Sequence, residues 1–413
     1  MNIAVAQSGG PTCAINASLL GVFRHATKYE EIETVYGSVN GIEGLILDNL
    51  VNLCDIISDD EDVELIRQTP STVLGSCRYK LPDFKTDRTV FETITLNLKK
   101  YNIGAFFYIG GNDSMDTVMK LDDYFKANNI DIKAIGIPKT IDNDLPITDH
   151  TPGFGSAAKY IATTMQEIIR DSSVYSAKSV TIVEIMGRDT GWLTASSAVL
   201  RQNGEVAPHL IYLPEVPFSV KKFIEDVKAA QEKYYAVIVA VSEGISLDAD
   251  GFQSGKVDNF GHKYLSGVGK ALEKIVSQEI GCKVRSIELN VMQRCSSHLS
   301  SKRDITEAER IGGAAVKTAL DGFSGRTMVY KRVRNHPYNM RIEHVDVREV
   351  ANKVKYFPLS WINETQNNVT NDAIEYCMPL IQGEQNFKMK NGIPQHYVLR
   401  FNLPHEKREG KIE

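Results

Sequence analysis

The sequence predicts an α/β protein with mostly parallel sheets. Short apolar runs that read as buried strands alternate with helix-period segments, the pattern of strands joined by crossover helices. Several of these runs end in glycine or a charged residue, and open α/β sheets bind ligands at the carboxyl ends of their strands. At 413 residues and 42% hydrophobic content, the chain is long enough for two domains with substantial cores.

The elements follow in order. "NIAVAQSGG" (2–10) is a strand running into glycines, and "PTCAINASLLGVFRHA" (11–26) is a helix with Pro11 near its first turn. "AFFYIGG" (105–111) repeats the arrangement, and Met115, Val118 and Met119 begin the helical period behind it. "IKAIGIPKTIDND" (132–144) is a third strand ending in an acidic turn. Further strands are expected at 179–191, 210–215, 235–244 and 284–294. Beyond about residue 335 the pattern weakens to one amphipathic helix near 344–354, and the charged end "HEKREGKIE" reads as frayed.

Composition narrows the partners. The net charge is −5 and the basic residues are dispersed, so no footprint for nucleic acid or a membrane surface is visible and a small-molecule partner is expected. Six cysteines without CxxC pairing suit a reducing compartment. The start lacks a charged region followed by an apolar one, and no apolar run reaches membrane length, so the expected location is cytoplasmic. The sequons at Asn363 and Asn368 then carry little meaning.

The motifs sit at strand ends. "SGGPT" (8–12) supplies Gly9 and Gly10, which let backbone N–H groups approach an anion with a helix behind them, though the same turn is as often structural. "YIGGNDSMD" (108–116) is a second strand, glycine turn and helix start, but Asp113 places a carboxylate at its mouth. Arg78 in "LGSCRYK" reads as a phosphate fork or as a solvated arginine. In "PKTIDNDLP" (138–146), Thr140, Asp142 and Asp144 share one face if extended, a base beside a metal ligand; an Asx-type turn closed by Pro146 competes equally. Gly187 and Arg188 in "EIMGRDTGW", Glu243 in "SEGI", and Arg285 and Arg294 bracketing "VRSIELNVMQR" suit a phosphorylated, hydroxyl-rich substrate.

Taken in order, "SGG", "LGSCR", "GGNDS", "PKTIDND", "MGRDTGW", "EGI" and "VRSIELNVMQR" resemble the 6-phosphofructokinase family from about residue 2 to about residue 330. The resemblance implies two Rossmann-like three-layer domains and Mg²⁺-dependent phosphoryl transfer to the 1-hydroxyl of fructose 6-phosphate. The expected division is 1–150 with about 292–345 for the phosphoryl donor, 151–291 with about 346–400 for the sugar phosphate, and a frayed 401–413. Asp142 then corresponds to the general base, Asp144 to the acidic residue beside the metal, and Thr140 to a contact of the moving phosphoryl group. Gly9, Gly10, Arg78, Gly111 and Ser114 fall on the donor side. Met186, Gly187, Arg188, Glu243, Arg285 and Arg294 correspond to sugar-phosphate contacts, with Arg285 arriving from a neighbouring subunit of a homo-oligomer, dimer or tetramer.

The departures point to the pyrophosphate-dependent branch. Where ATP-dependent members usually read Gly-Gly-Asp-Gly-Ser, this chain has Gly110-Gly111-Asn112-Asp113-Ser114, and Lys139 replaces their glycine before Thr-Ile-Asp. Asp113 at the helix start would occupy the volume and dipole used by an α-phosphate; two like charges ~4 Å apart cost roughly 4 kcal/mol at an effective dielectric of ~20. Lys139 adds a point charge for the terminal phosphoryl group or the leaving phosphate. Asp113 and Asp144 become the metal carboxylates, since Asn112 stands where ATP enzymes keep an aspartate. Two further readings remain at this stage: an ATP-dependent 6-phosphofructokinase, and a non-catalytic regulatory subunit whose cheapest signature, loss of the base, is not seen.

Overall fold

The computed structural model describes residues 1–247 and 267–399. The charged end at 401–413 lies outside them. Strands β1 (Asn2–Gln7), β2 (Val35–Ser38), β3 (Leu50–Asn52), β4 (Ile103–Gly110) and β5 (Lys133–Pro138) come first along the chain. They are followed by β6 (Ser179–Ile185), β7 (Leu210–Tyr212), β8 (Ala236–Ser242) and β9 (Lys283–Glu288), then by β10 (Arg326–Asn335) and β11 (Tyr338–Asp346).

The first sheet has the order β11-β10-β5-β4-β1-β2-β3, and the second the order β7-β8-β6-β9. Every pairing in the second sheet is parallel; in the first, only the outer pairs β2·β3 and β10·β11 are antiparallel. Parallel strands covered on both faces must be apolar on both faces, which is why β4 reads as an unbroken hydrophobic run. Its alternate residues serve two cores. Phe107 and Ile109 pack with Leu19, Leu20 and Ile311 on one side, while Phe106 and Tyr108 pack with Phe91, Met115 and Val118 on the other. The second sheet is sandwiched in the same way, Val183 and Ile185 facing Phe154, Ile161 and Trp192, and Val180 and Ile182 facing Phe223 and Leu272.

Two helices on the first sheet, Ile15–Ala26 and Lys302–Leu320, cross at glycine. A Cβ on Gly21 would lie 2.0 Å from the Glu309 carbonyl oxygen, and one on Gly312 2.2 Å from that of Ser18. Backbone contact at that distance excludes any side chain and ties the C-terminal third to the first helix.

Five expected elements differ, among them the strand expected over 179–191, which ends at Ile185. The first helix begins at Ile15, not residue 11: Thr12 Oγ1 accepts the N–H groups of Ala14 and Ile15, so Pro11 stays in the turn. The strand expected over 132–144 ends at Pro138, and Asn143 adopts a left-handed φ of 55°, so the acidic segment is a folded turn and the shared-face argument for Asp142 and Asp144 does not apply. The strand expected over 284–294 ends at Glu288; Asn290 turns at φ 43° into a short helix Met292–Cys295. The helix expected near 344–354 is instead the end of β11 followed by the single turn Val347–Glu349.

The chain crosses between the two halves later than the expected boundary near 345. Val347, Val350 and Ala351 join the core of the first sheet, whereas Phe357 joins that of the second. Residues beyond 387 return to the first half: Gln68 binds the backbone of Lys388 and Gln395, the Tyr397 amide donates to Thr69 Oγ1, and Leu399 is buried in the first core.

Candidate active site

Both glycine turns lie at carboxyl ends of neighbouring strands, and β5 ends beside them. Gly9 holds φ 76°, its carbonyl accepts Ser76 Oγ at 2.8 Å, and its N–H donates to the Cys77 carbonyl at 3.4 Å. This fixes the segment that carries Arg78 against the turn. Ser8 and Ser114 share a hydrogen bond of 2.7 Å between their hydroxyls, joining the first turn to the second. A Cβ on Gly110 would sit 1.9 Å from Ser114 Oγ, so that bond requires glycine there.

Lys139, the residue after β5, is 2% exposed, and its Nζ donates to the Gly10 carbonyl at 2.5 Å. Burial pulls its pKa down to about 8; Asp142 and Asp144 oppose the fall, and Arg294 and Arg78 add to it. Four of the expected site residues, Asp142, Asp144, Arg294 and Arg78, are therefore within electrostatic reach of one ammonium group.

Asp142 and Asp144 lie in the turn that follows. Thr140 Oγ1 accepts the Asp142 N–H at 3.1 Å and lies 3.4 Å from its Oδ2, so the local turn reading and the catalytic one are served by the same atoms. Burial raises the Asp142 pKa against the pull of Lys139 and Arg188. Asp144 is raised to about 7, first by burial and then by the charge of Asp142. Asp144 Oδ1 is buried without a hydrogen-bond partner among the described residues. An orphaned carboxylate oxygen is costly unless something positive completes it.

The second sheet contributes from the ends of β6 and β8. Gly187 holds φ 135°, and a Cβ there would lie 2.4 Å from the Thr190 carbonyl. Its N–H donates to Glu243 Oε1 at 3.3 Å and its carbonyl accepts Ser242 Oγ at 2.6 Å. Burial raises Glu243 to about 7, with Asp142 adding to the rise and Arg188 opposing it. Arg188 Nε is buried and has no hydrogen-bond partner among the described residues. Thr190 Oγ1 donates to the Asp142 carbonyl at 3.2 Å and so links the two halves of the site.

Other expected residues sit differently. Arg285 and Arg294 do not bracket one strand. Arg294 rides on the short helix after β9, with Nη1 3.4 Å from where a Gly10 Cβ would be, next to the first turn. Arg285 stays in the middle of edge strand β9, half exposed, and pairs with Asp171 at 3.1 Å. Gly111 takes the cap position of the helix without a side-chain cap, and Asp113 is an exposed carboxylate in the first turn, 3.9 Å from Lys80 Nζ. Asn112 is occupied elsewhere, donating to the Lys353 carbonyl at 2.6 Å and accepting the Asn352 N–H at 2.5 Å. That explains an amide rather than a carboxylate there, since only an amide makes both bonds.

Three residues at the site escaped the sequence reading. Gln293, 1% exposed, accepts the Met186 N–H at 3.2 Å. Thr190 falls inside a recognised motif without an assigned role. Lys355 is half-buried beneath the Asp142–Asp149 turn and lies in a segment without periodicity; desolvation lowers it to about 7 against the charges of Asp149 and Asp144.

Comparison with known proteins adds to this geometry. The family profile described as Phosphofructokinase matches residues 2–319. A pyrophosphate–fructose 6-phosphate 1-phosphotransferase of Halomonas elongata is 38% identical over 399 residues, 95% of each chain. One from Xanthomonas campestris pv. campestris is 38% identical over 406 residues, covering 97% of this chain and 96% of its own. The crystal structure of a pyrophosphate-dependent phosphofructokinase from Marinobacter aquaeolei superposes with a TM-score of 0.85 at 36% identity, covering 96% and 95% of the two chains.

Proposed function

From the premise that this chain belongs to the phosphofructokinase family, we propose that it moves a phosphoryl group reversibly between pyrophosphate and the 1-hydroxyl of fructose 6-phosphate. The observation that carries the donor assignment is the buried Lys139 ammonium, bonded to the Gly10 carbonyl beside both glycine turns. It stands where ATP-dependent members of the family commonly have glycine, and Asp113 adds a negative charge at the second turn.

Asp142 takes the proton of the sugar 1-hydroxyl. Its burial keeps the carboxylate more basic than an exposed one, which suits a base working near neutral pH. The hydroxyl oxygen forms its bond to the terminal phosphorus, the bridging P–O bond breaks, and phosphate leaves with that electron pair. Lys139, Arg78 and Thr140 meet the charge that moves with it, while Gly9, Gly10, Gly111 and Ser114 shape the turns around the diphosphate. Met186, Gly187, Arg188, Glu243 and Arg294 face the sugar phosphate, with the unpartnered Arg188 Nε available to its oxygens.

The chemistry of phosphoryl transfer calls for a divalent metal, and Asp144 fits one: its Oδ1 is buried and unpartnered. Mg²⁺ is commonly held by one or two carboxylates together with substrate phosphates, and when bound it neutralises charge on the phosphoryl oxygens. Asp113, exposed and facing Lys80, is the weaker of the two assigned ligands. We place the protein in the cytoplasm as a homo-oligomer in which Arg285 serves a neighbouring copy's sugar-phosphate site; its position on an exposed edge strand supports this. No helix among the described residues is long and apolar enough to cross a membrane.

A donor competition decides the central point. With Mg²⁺ and fructose 6-phosphate, purified protein should turn over with pyrophosphate and run backward with phosphate and fructose 1,6-bisphosphate; turnover with ATP alone would overturn the reading.

A further inference from the structure

Lys355 lies where the chain passes from the first sheet to the second, in a stretch without regular structure. Its ammonium makes three hydrogen bonds, all to the turn that carries the two aspartates. The acceptors are Asn143 Oδ1 at 3.0 Å, the Thr148 carbonyl at 3.1 Å and the Asp149 carbonyl at 2.9 Å. A lysine has three N–H donors, so its hydrogen-bonding capacity is spent on one loop. The Lys355 backbone N–H also donates to the Asp144 carbonyl at 2.7 Å.

The other side of the side chain is fixed as well. Nζ lies 5.0 Å from the centre of the Trp192 ring, and Trp192 Nε1 donates to the Lys355 carbonyl at 3.1 Å. Trp192 belongs to the core of the second sheet. Lys355 therefore references the aspartate turn to the half of the molecule that carries Arg188 and Glu243. Asn143, between the two aspartates, is held from its opposite atom too: Nδ2 donates to Tyr376 Oη at 2.8 Å, and that hydroxyl donates to the Asp149 carbonyl at 2.6 Å. Its left-handed φ of 55° is a conformation that non-glycine residues seldom keep without such support.

We infer that Lys355 is a positioning residue for phosphoryl transfer, setting the register of the Asp142–Asp149 turn against the sugar-phosphate half through Asn143, Thr148 and Asp149. The inference rests on the proposed function, because it assumes that Asp142 acts in the reaction. Lys355 touches no reacting atom. Its effect passes through the placement of Asp142, and a displacement of about 1 Å in a reacting group can cost about 10²-fold in rate.

The test uses the full-length protein and three substitutions. Lys355→Met keeps the length and apolar stem but removes the donors. Asn143→Gly tolerates the left-handed backbone while removing the acceptor, and serves if the first variant does not fold. The third protein carries both changes. Hydrogen–deuterium exchange is read on the ligand-free chain, and kcat and KM are measured with whichever donor the wild type uses. The expected result is faster exchange confined to 140–150 and a kcat about 10- to 100-fold lower, with each KM within about threefold. The double variant should be no more than about twofold slower than Lys355→Met alone. Unchanged exchange in 140–150, an unchanged kcat, or fully multiplicative effects would overturn the inference. A wild type active only with ATP would defeat the donor assignment while the exchange and kcat still judge Lys355.

Discussion

The Lys139 ammonium donates to the Gly10 carbonyl across 2.5 Å, joining the end of β5 to the turn after β1. A cation in this position serves both the fold of the turn and the charge of the donor. Lys139→Met should lower kcat with pyrophosphate by about 10²- to 10³-fold, the scale for losing one preorganised charge-stabilising donor. On the proposed role the protonated form acts, and with its value near 8 the charge is lost as pH rises through that point. kcat/KM should therefore fall on an alkaline limb near pH 8. Lys139→Arg, if active, should move that limb above pH 10. The unfolded lysine keeps its proton to about 10.4, so this group makes folding more favourable as pH rises from about 8 to that value.

Asp142→Asn should remove proton acceptance while leaving the Thr140 and Thr190 contacts to its backbone in place. The expected loss in kcat is about 10²- to 10⁴-fold, with KM for fructose 6-phosphate changed by less than about threefold. Near-normal turnover would assign the base elsewhere.

Asp113 is exposed and its ion pair with Lys80 is long, so its removal costs little stability. Asp113→Gly should leave the thermal midpoint within about 2 °C while lowering KM for ATP. Adding Lys139→Gly should shift donor preference further, but it leaves the Gly10 carbonyl without its donor. The double variant should therefore be less stable and slower overall, which differential scanning calorimetry and paired donor assays would register.

Asn112→Asp would restore the residue of ATP-using relatives and damage this chain. A carboxylate accepts the Asn352 N–H but repels the Lys353 carbonyl that Asn112 now binds. Loss of the donor should cost about 1 kcal/mol in urea unfolding without creating ATP activity.

The parallel strands and both glycine turns were legible because burial on two faces writes itself as apolar runs and a tight turn as glycine. Strand ends were less so. "PKTIDND" reads equally as an extended strand end or as a turn closed by Pro146; the left-handed Asn143 makes it a turn, and that residue is held by Tyr376 and Lys355, far away in sequence. Lys355 was invisible for the same reason: a half-buried lysine held by one loop's carbonyl and amide oxygens has no periodic neighbours to announce it. Arg285 and Arg294 lie nine positions apart and read as one clamp; the turn at Asn290 sends them to different places.

The placement of β10 between β5 and β11 has a consequence for how the protein is made. During synthesis β5 is complete some 190 residues before its neighbour leaves the ribosome. Throughout that interval one edge of an apolar parallel sheet has no partner, while the second sheet, contiguous from β6 to β9, is free to form. The nascent chain should thus be able to pair the strands of its second sheet before β5 is covered, with Phe357, Ile374 and Leu380 completing that sheet's core only later, and should depend on chaperones to shield the β5 edge. A ribosome stalled before residue 326 should present a chain whose β5 region is cut by protease faster than in the released full-length protein.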